Sequence, residues 1–251
     1  MAYTYDTRVV VSGKHSESYH YKKPVLRDYD KRTPDGGKDN KQKKQLNMFE
    51  QEEAKKKQIQ YSINRTKTSI RRLVNSNPHL NKFMTLTFAD NITDLKEANY
   101  LFNQFIKRIS YRYESFEYLA VPEFQKRGAV HYHLLCNLPY IEMDALEYIW
   151  SHGMVNIRNT NEVNNLGAYM SKYLGKELFS GRMFGKKKFF RSQTLSEPVE
   201  LVGHWAHLFI NKYLSVLTPV FEKTFESEFV GEVEYRAYVL EKVIFGRRDS
   251  S

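Results

Sequence analysis

The stretch that most limits the fold is residues 128–135, where two histidines flank one large residue inside an otherwise apolar run. Such alternation is typical of a β-strand, because successive side chains of a strand point to opposite faces. His131 and His133 then share one face, while Val130, Tyr132 and Leu134 occupy the other. The sequence therefore predicts a strand that presents two imidazoles side by side.

A second strand is predicted just before it, over residues 117–123. Residues 126–128, Lys-Arg-Gly, are typical of a three-residue hairpin loop with glycine in the left-handed position. A hairpin centred on Arg127 fixes the register and pairs Gln125 with Ala129, Glu123 with His131 and Val121 with His133. Cross-strand neighbours lie about 5 Å apart and diagonal ones about 7 to 8 Å. Glu123 is therefore expected beside both histidines.

Two imidazoles and a carboxylate around one point are a common ligand set for a divalent metal ion. We therefore expect His131, His133 and Glu123 to hold a metal. Glu123 depends on the hairpin register, and Gln125 lies on the same face two residues away. The alternative is that the histidines are ordinary core residues with hydrogen-bonded rings, since buried polar groups usually find such partners.

The composition favours a folded, basic protein. With 251 residues, of which 41% are hydrophobic, the chain can bury a substantial core. Its 39 Lys and Arg against 29 Asp and Glu give a net charge of +10, which favours an anionic partner, nucleic acid before membrane. Aromatic residues, at 14%, suit stacking on unpaired bases.

Cys136 is the single cysteine of the sequence. An intramolecular disulfide and a cysteine-based zinc site are therefore excluded, and a reducing compartment is expected. Its position predicts a core residue on the face opposite the histidines. No apolar run is long enough to span a membrane, and the first residues do not form a signal-peptide pattern. We expect a soluble, cytoplasmic protein.

The N-terminal third combines strands with a basic helix. Residues 8–11 and 19–26 predict two short strands that form an edge hairpin, and the composition of residues 28–47 predicts a mobile connection. A helix follows over about 46–74. From Lys38 to Lys82 there are twelve Lys or Arg against four acids. This charge run is either a solvated helix face or an arm that contacts phosphates.

The core elements follow in a recognisable order. Residues 82–88 alternate as a strand, and a helix begins after Asp94 as its N-cap. After the histidine hairpin come a helix over about 142–152, closed by Gly153, and a strand over 154–158. The order β-α-β-β-α-β predicts an α+β fold: a ferredoxin-like antiparallel sheet with helices packed on it, as in RNA-recognition modules.

The next predicted helix, about 163–178, carries three polar side chains on one face. Tyr169, Lys172 and Tyr173 stand at positions i, i+3 and i+4. Beyond it, the sequence predicts a basic strand at 186–191, an apolar helix over about 201–214 and strand-like alternation over 225–235. A phosphate-binding loop is not predicted, because residues 181–186 have three rather than four residues between the glycines.

Three motifs, taken together, resemble those of HUH endonucleases. They are Phe83-Met-Thr-Leu-Thr-Phe88, His131-Tyr-His133 and Tyr169-Met-Ser-Lys172, in this order and on a strand, a strand and a helix. The chain looks most like the rolling-circle replication initiators of plasmids and single-stranded phages. Relaxases of the same superfamily typically carry the tyrosine ahead of the histidine motif, which is not the order here.

The resemblance implies a nucleotidyl transfer on single-stranded DNA. Tyr169 would attack a phosphodiester, form a 5′-phosphotyrosyl linkage and free a 3′-hydroxyl that primes replication. Lys172 would add positive charge near the reacting groups, and Tyr173 is either a second nucleophile or a structural neighbour. The implied metal at His131, His133 and Glu123 is Mg²⁺ or Mn²⁺, although imidazole ligands also accept zinc or another transition metal.

The resemblance also implies partners and a domain division. The DNA would be the single strand at a replication origin. A host helicase and a DNA polymerase would complete replication, because an ATP-driven helicase domain is not predicted in the chain. We expect three segments: residues 1–81 with strands, connection and basic helix, residues 82–195 as the endonuclease core, and residues 196–251 completing the same domain.

Three other functions remain open. An HUH transposase would share the chemistry, although such enzymes usually lack the lysine three residues after the tyrosine. A non-catalytic RNA-recognition-like module would share the sheet, but the aromatic signature of those modules is missing from these strands. A non-haem iron oxygenase would share two histidines and a carboxylate. That function leaves Tyr169, Lys172 and the basic charge unexplained.

Overall fold

A computed structural model of the chain describes residues 2–28, 47–161, 163, 166–173 and 187–245, with only the backbone for 48–49, 168 and 171–173. The expected mobile connection at 28–47 and the basic turn at 181–186 fall almost wholly outside these residues. None of the helices within the described ranges is long and apolar enough to cross a membrane.

The described elements alternate between strands and helices along the chain. In chain order they are β1 (Ala2–Ser12), β2 (His15–Asp28), α1 (Met48–Ser76), β3 (Lys82–Thr87), α2 (Leu95–Arg112), β4 (Tyr118–Phe124), β5 (Val130–Cys136), α3 (Met143–Trp150), β6 (Val155–Asn159), α4 (Leu166–Tyr173), β7 (Phe190–Arg191), β8 (Val199–Val202), α5 (His204–Phe209), β9 (Phe221–Ser227) and β10 (Gly231–Val239). A π-helical turn, Ile210–Leu214, extends α5. The α+β fold expected from the sequence is confirmed.

These elements form two compact units. One consists of Met1–Gln51 and Glu197–Ser251, and the other of Glu52–Ser196. The three-segment division expected from the sequence differs from this one, because it places the basic helix with the N-terminal strands and the C-terminal segment with the core domain. Most of α1 instead belongs to the central unit.

The sheet of the central unit has the strand order β6-β3-β5-β4-β7. Each neighbouring pair is antiparallel. The chain order β3-α2-β4-β5-α3-β6 confirms the expected ferredoxin-like arrangement. The histidine strand β5 is therefore an interior strand, and all seven of its residues are buried.

Two helices cover the sheet face opposite the histidines. The carboxylate of Asp94 accepts a hydrogen bond from the backbone N–H of Lys96 and caps α2 as expected. Phe102 of α2 stacks on Tyr132 of β5 with ring centroids 4.2 Å apart. Trp150 of α3 lies 5.0 Å from Phe88 at the end of β3. Burying each aromatic side chain contributes about 1.5 to 3 kcal/mol, so this face fixes the orientation of the strands.

The hairpin that joins β4 to β5 has the predicted register. Glu123 pairs with His131 and Val121 with His133. Gly128 has a φ of 92°, in the region that favours glycine. The two strands therefore present Glu123 and both histidines on one face of the sheet.

The basic helix α1 begins at a capping box. The Asn47 side chain accepts from the N–H of Glu50, and the Glu50 carboxylate accepts from the N–H of Asn47. Residues 50–58 are exposed on every side, whereas Ile63, Ile70 and Leu73 are buried. The helix thus packs through its second half only.

The N- and C-terminal strands form a separate sheet, with the order β8-β1-β2-β10-β9. The hairpin expected at residues 8–26 is present and longer, but β1 and β2 are interior strands of this sheet rather than an edge. The chain around Val9 and Val11 is buried against Phe209 and Leu214. The alternation at 225–235 belongs to the β9–β10 hairpin.

Three element boundaries differ from the sequence-based expectation. The helix expected from 201 begins at His204, because Val199–Val202 pairs with β1 as a strand. Helix α3 ends at Ser151, which has a φ of 60°, rather than at Gly153. The strand expected over 186–191 is confined to Phe190–Arg191 among the described residues.

Candidate active site

Strand pairing arranges one face of the central sheet in three rows of side chains. From the β6 edge toward β4, the rows are Arg158–Phe83–Leu135–Leu119, Asn156–Thr85–His133–Val121 and Thr87–His131–Glu123. The first row is largely apolar, and the other two are mostly polar. Polar side chains in the middle of a sheet need either solvent or hydrogen-bond partners. These rows are therefore the natural place to search for function.

His133 is held between two partners. Its Nε2 lies 2.6 Å from Oε2 of Glu123, and its Nδ1 lies 3.1 Å from Oγ1 of Thr85. With Glu123 ionised, Nε2–H donates to the carboxylate and Nδ1 accepts from the Thr85 hydroxyl. A hydroxyl can also accept, so Thr85 supports the other tautomer, in which Nδ1–H donates and Nε2 offers a lone pair. Thr85 thus orients the ring in both states.

His131 is buried, and its Nε2 has no hydrogen-bond partner among the described residues. Burial, and after it the neighbouring His133, lower the pKa of His131 to about 4. The imidazole is therefore neutral at pH 7 and keeps a lone pair on one ring nitrogen. A buried ring nitrogen with no partner is uncommon, and a bound ligand is one physical reason for it.

The donor chemistry of these three residues fits a divalent metal ion. His131 offers an unpartnered nitrogen, and Glu123 and His133 lie on the same face with their polar atoms adjacent. In the present arrangement, however, Glu123 bonds to His133, and the ring centroids of His131 and His133 are 6.5 Å apart. Within the described ranges, no group of three such side chains is already arranged around one metal position. Binding would require the carboxylate to turn from His133 toward the metal.

Tyr169 lies at the end of the apolar row. Its ring meets Phe83 edge-on, with centroids 5.2 Å apart, and Phe83 stacks on His133 at 5.7 Å. The guanidinium of Arg158 donates a hydrogen bond to the Tyr169 hydroxyl. The guanidinium carbon also lies 5.3 Å from the centre of the Phe83 ring. An arginine beside a phenol oxygen favours negative charge there, because it places a positive charge and N–H donors at the atom that would carry it.

Helix α4 carries Tyr169 and packs closely on α1. A Cβ added at Gly167 would lie 2.9 Å from the carbonyl oxygen of Arg71 and 3.0 Å from its Cα. Glycine therefore permits the approach of the two helices. On the same helix α1, the Ser62 hydroxyl accepts a hydrogen bond from the Lys188 ammonium. Burial, and then the charge of Arg65, lower the pKa of Lys188.

The sequence and the structure agree only in part on the residues of this site. The predicted residues Glu123, His131, His133 and Tyr169 lie on, or against, one face of one sheet. Lys172 and Tyr173 belong to α4, but their side chains lie outside the described part of the chain. Whether these residues bind metal or react remains a prediction from the sequence.

The sequence did not assign a role to Thr85 or to Arg158. Thr85 was placed by strand alternation on the face of Phe83, which is also the face that β5 uses for its histidines. This parity was the available signal, but it does not give the neighbouring strand. Arg158 ends a strand, and no local pattern indicates that β6 lies next to β3.

Two comparisons relate the centre of the chain to replication proteins. Residues 81–178 match the model of a family described as Replication-associated protein ORF2. Over 57 residues, the chain is 47% identical to the Phasyl DNA replicon protein arp of Escherichia coli. That match covers 22% of this chain and 19% of the relative, so about a fifth of each protein is compared. No solved structure matches the chain. Together, the two matches support a replication-initiator family and a role in DNA replication.

Proposed function

We propose that the chain is a replication initiator that nicks single-stranded DNA at an origin by tyrosine transesterification, in the manner of HUH rolling-circle initiators of plasmids or phages. The observation that carries this proposal is the contact between Arg158 and the Tyr169 hydroxyl on the sheet face that also holds His131, His133 and Glu123. A phenol with an adjacent guanidinium is a nucleophile whose developing charge has a partner.

The proposed step exchanges one phosphate ester for another. The Tyr169 oxygen attacks the phosphorus, a bond forms between them, and the bond from phosphorus to the 3′ oxygen breaks. The phenolic proton leaves to solvent, and the departing 3′ oxygen takes up a proton to become a hydroxyl. The products are a 5′-phosphotyrosyl linkage and a free 3′ end, which serves as a primer. No nucleotide is consumed, since one ester replaces another.

The residues around Tyr169 have distinct proposed roles. Arg158 holds the phenol oxygen and favours its ionised form, because an ordinary tyrosine with a pKa of about 10 is a weak nucleophile at neutral pH. Phe83 fixes the ring between the sheet and Arg158. Lys172, one turn after Tyr169, adds positive charge for the phosphate, and Tyr173 is a second hydroxyl on the same helix.

His131, His133 and Glu123 are the proposed holders of a Mg²⁺ or Mn²⁺ ion. When bound, the ion supplies a Lewis acid for a non-bridging phosphate oxygen. Thr85 fixes the ring of His133, and burial keeps His131 neutral. These residues therefore position a phosphate on the same face as the tyrosine.

The wider role is proposed from the two matches. Both matched descriptions concern replication, which supports an origin of replication as the DNA substrate. Opening of the duplex and extension of the freed 3′ end would then fall to a host helicase and a DNA polymerase. Three consecutive lysines on the exposed half of α1 suit phosphate contacts along the bound strand.

The direct test is capture of a covalent adduct. The chain is incubated with a random pool of single-stranded oligonucleotides and Mn²⁺, denatured, and the attached DNA is sequenced. We expect one shared sequence to be retained through its 5′ phosphate by the wild type and lost in Tyr169→Phe, which keeps the ring and removes the attacking oxygen. The absence of an adduct in the wild type, or its survival in Tyr169→Phe, would contradict the proposal.

A further inference from the structure

A cavity of about 440 Å³ lies between the β3–β6 edge of the central sheet and the segment that leads into α3. Its apolar lining comes from six side chains: Leu138, Tyr140, Ile141, Met143, Leu146 and Ile157. Lys82, Glu142, Arg158 and Asn159 also line it. A mainly apolar cavity with a few polar groups is the usual form of a small-ligand site.

The cavity presents an exposed aromatic ring. Tyr140 is 80% exposed, and its hydroxyl donates a hydrogen bond to Oε1 of Glu142 at 3.0 Å. This bond restrains the ring without covering its faces. Met143 beside it is 41% exposed. An exposed, restrained ring over an apolar floor is suited to stacking on a flat, largely apolar group such as a nucleobase.

The charges of the lining select among flat ligands. Lys82 and Arg158 contribute two cations, which suit a phosphate. Glu142 contributes a carboxylate with one oxygen that Tyr140 does not use, and this oxygen can only accept hydrogen bonds. A ligand that satisfies both ends has a flat ring with N–H donors and an attached phosphate. A nucleotide has this combination.

Arg158 connects the cavity with Tyr169. The same guanidinium that lines the cavity donates to the Tyr169 hydroxyl, and its carbon lies 5.6 Å from the centre of the tyrosine ring. A DNA strand with one phosphate at Tyr169 therefore passes Arg158, and a neighbouring nucleotide reaches the cavity. The two places are joined by one side chain rather than by a long path.

We propose that this cavity binds one unpaired nucleobase of the DNA strand close to the phosphate that Tyr169 attacks, and so reads part of the target sequence. The inference rests on the proposed nicking function. Tyr140 stacks on the base, Lys82 and Arg158 contact phosphate, and Glu142 accepts from an exocyclic amino group. Thymine has no such amino group, so adenine and cytosine bind better than thymine.

The test measures binding of the full chain to fluorescein-labelled single-stranded homopolymers of deoxyadenylate, deoxycytidylate and thymidylate, in EDTA so that metal-dependent cleavage does not intervene. We expect Tyr140→Ala to weaken binding about 5- to 150-fold, the range for losing one stacked base. Tyr148→Ala is the matched control, because Tyr148 is an 85% exposed tyrosine of α3 that does not line the cavity. Equal affinity of Tyr140→Ala and the wild type would overturn the inference.

A second variant tests the selection of the base. Glu142→Gln can both donate and accept, so the affinity for thymidylate should approach that for deoxycytidylate. An unchanged preference would remove Glu142 from recognition and overturn the proposed selection. If the wild type self-associates and Tyr140→Ala abolishes only that association, the cavity belongs to a second copy of the chain.

The outcomes for the cavity and for nicking are separable. If the wild type forms the adduct but Tyr140→Ala binds DNA normally, the cavity inference fails and nicking stands. If Tyr140→Ala weakens binding while the wild type never forms an adduct, the cavity is a nucleic-acid site and the nicking function fails.

Discussion

Glu123 is paired across the hairpin with His131, but its carboxylate bonds to His133. The Oε2 atom lies 2.6 Å from Nε2 of His133, diagonal to the register. His131, directly opposite, keeps an Nε2 without a hydrogen-bond partner among the described residues. A carboxylate that holds one imidazole beside an unpartnered nitrogen on the next is one rotation away from a three-ligand set.

The first prediction concerns the metal. His131→Ala and His133→Ala should each lower Mn²⁺ affinity by more than the about 10- to 100-fold typical of an outer partner, since each removes a donor atom. Glu123→Ala should weaken binding as well, whereas Gln125→Ala should not. Isothermal titration with Mn²⁺ measures this. Unchanged affinity in either histidine variant would remove the metal from this face, and a loss in Gln125→Ala alone would assign the wrong residue of the hairpin.

The second prediction concerns the support of His133. Thr85→Val keeps the shape of the side chain but removes the hydroxyl that lies 3.1 Å from Nδ1. Mn²⁺ affinity should fall about 10- to 100-fold, because the ring loses the partner that fixes its tautomer. Thr85→Ser is the control and should retain near wild-type affinity. Equal binding in Thr85→Val and Thr85→Ser would show that the hydroxyl has no part in orienting the ring.

The third prediction separates the two tyrosines of α4. Tyr169→Phe should abolish the covalent DNA adduct, while Tyr173→Phe should still form it and lose at most a second strand transfer. Denaturing electrophoresis of the protein with labelled DNA distinguishes the two cases. An adduct that persists in Tyr169→Phe and disappears in Tyr173→Phe would assign the nucleophile to the next turn of the helix.

The fourth prediction concerns the exposed half of α1. Neutralising Lys55, Lys56 and Lys57 should reduce the slope of log affinity for single-stranded DNA against log salt by about 2, at about 0.7 for each lost phosphate contact. The matched control neutralises Lys96 and Lys107, which are exposed on α2 at the opposite face of the sheet. An equal change in both variants would indicate a general effect of net charge, and an unchanged slope would make α1 a solvated surface.

The fifth prediction concerns the closeness of α4 to α1. Gly167→Ala would place a Cβ 2.9 Å from a backbone oxygen of α1, so α4 must shift and carry Tyr169 with it. Adduct formation should slow by about tenfold or more, as expected when a nucleophile moves by a fraction of an ångström. DNA affinity should change little, because the phosphate-binding cations remain.

The control for this substitution is Gly231→Ala in the β9–β10 hairpin. It strains a backbone with a φ of 69° but meets only the flexible Lys23 side chain at 3.8 Å. It should lower the melting temperature without slowing adduct formation. If Gly167→Ala forms the adduct at the wild-type rate, the close packing of the two helices does not position Tyr169.

The sequence by itself determined the hairpin and its register. Gly128 fixes the turn, and strict alternation in a two-stranded hairpin then dictates which side chains share a face. His131, His133 and Glu123 could therefore be grouped before any tertiary structure was known. The ferredoxin-like order was accessible for the same reason, because Asp94 and the apolar stripe of α2 define a helix locally.

Only the tertiary structure decided which elements became neighbours. The contact of Arg158 with Tyr169 depends on β6 lying beside β3 and on α4 approaching the same edge, and no local pattern encodes either. The same holds for Thr85, whose partner comes from β5, and for the cavity at Tyr140, which closes only when β6 meets the segment before α3. Local periodicity fixes the face of a side chain, whereas long-range packing fixes what that face meets.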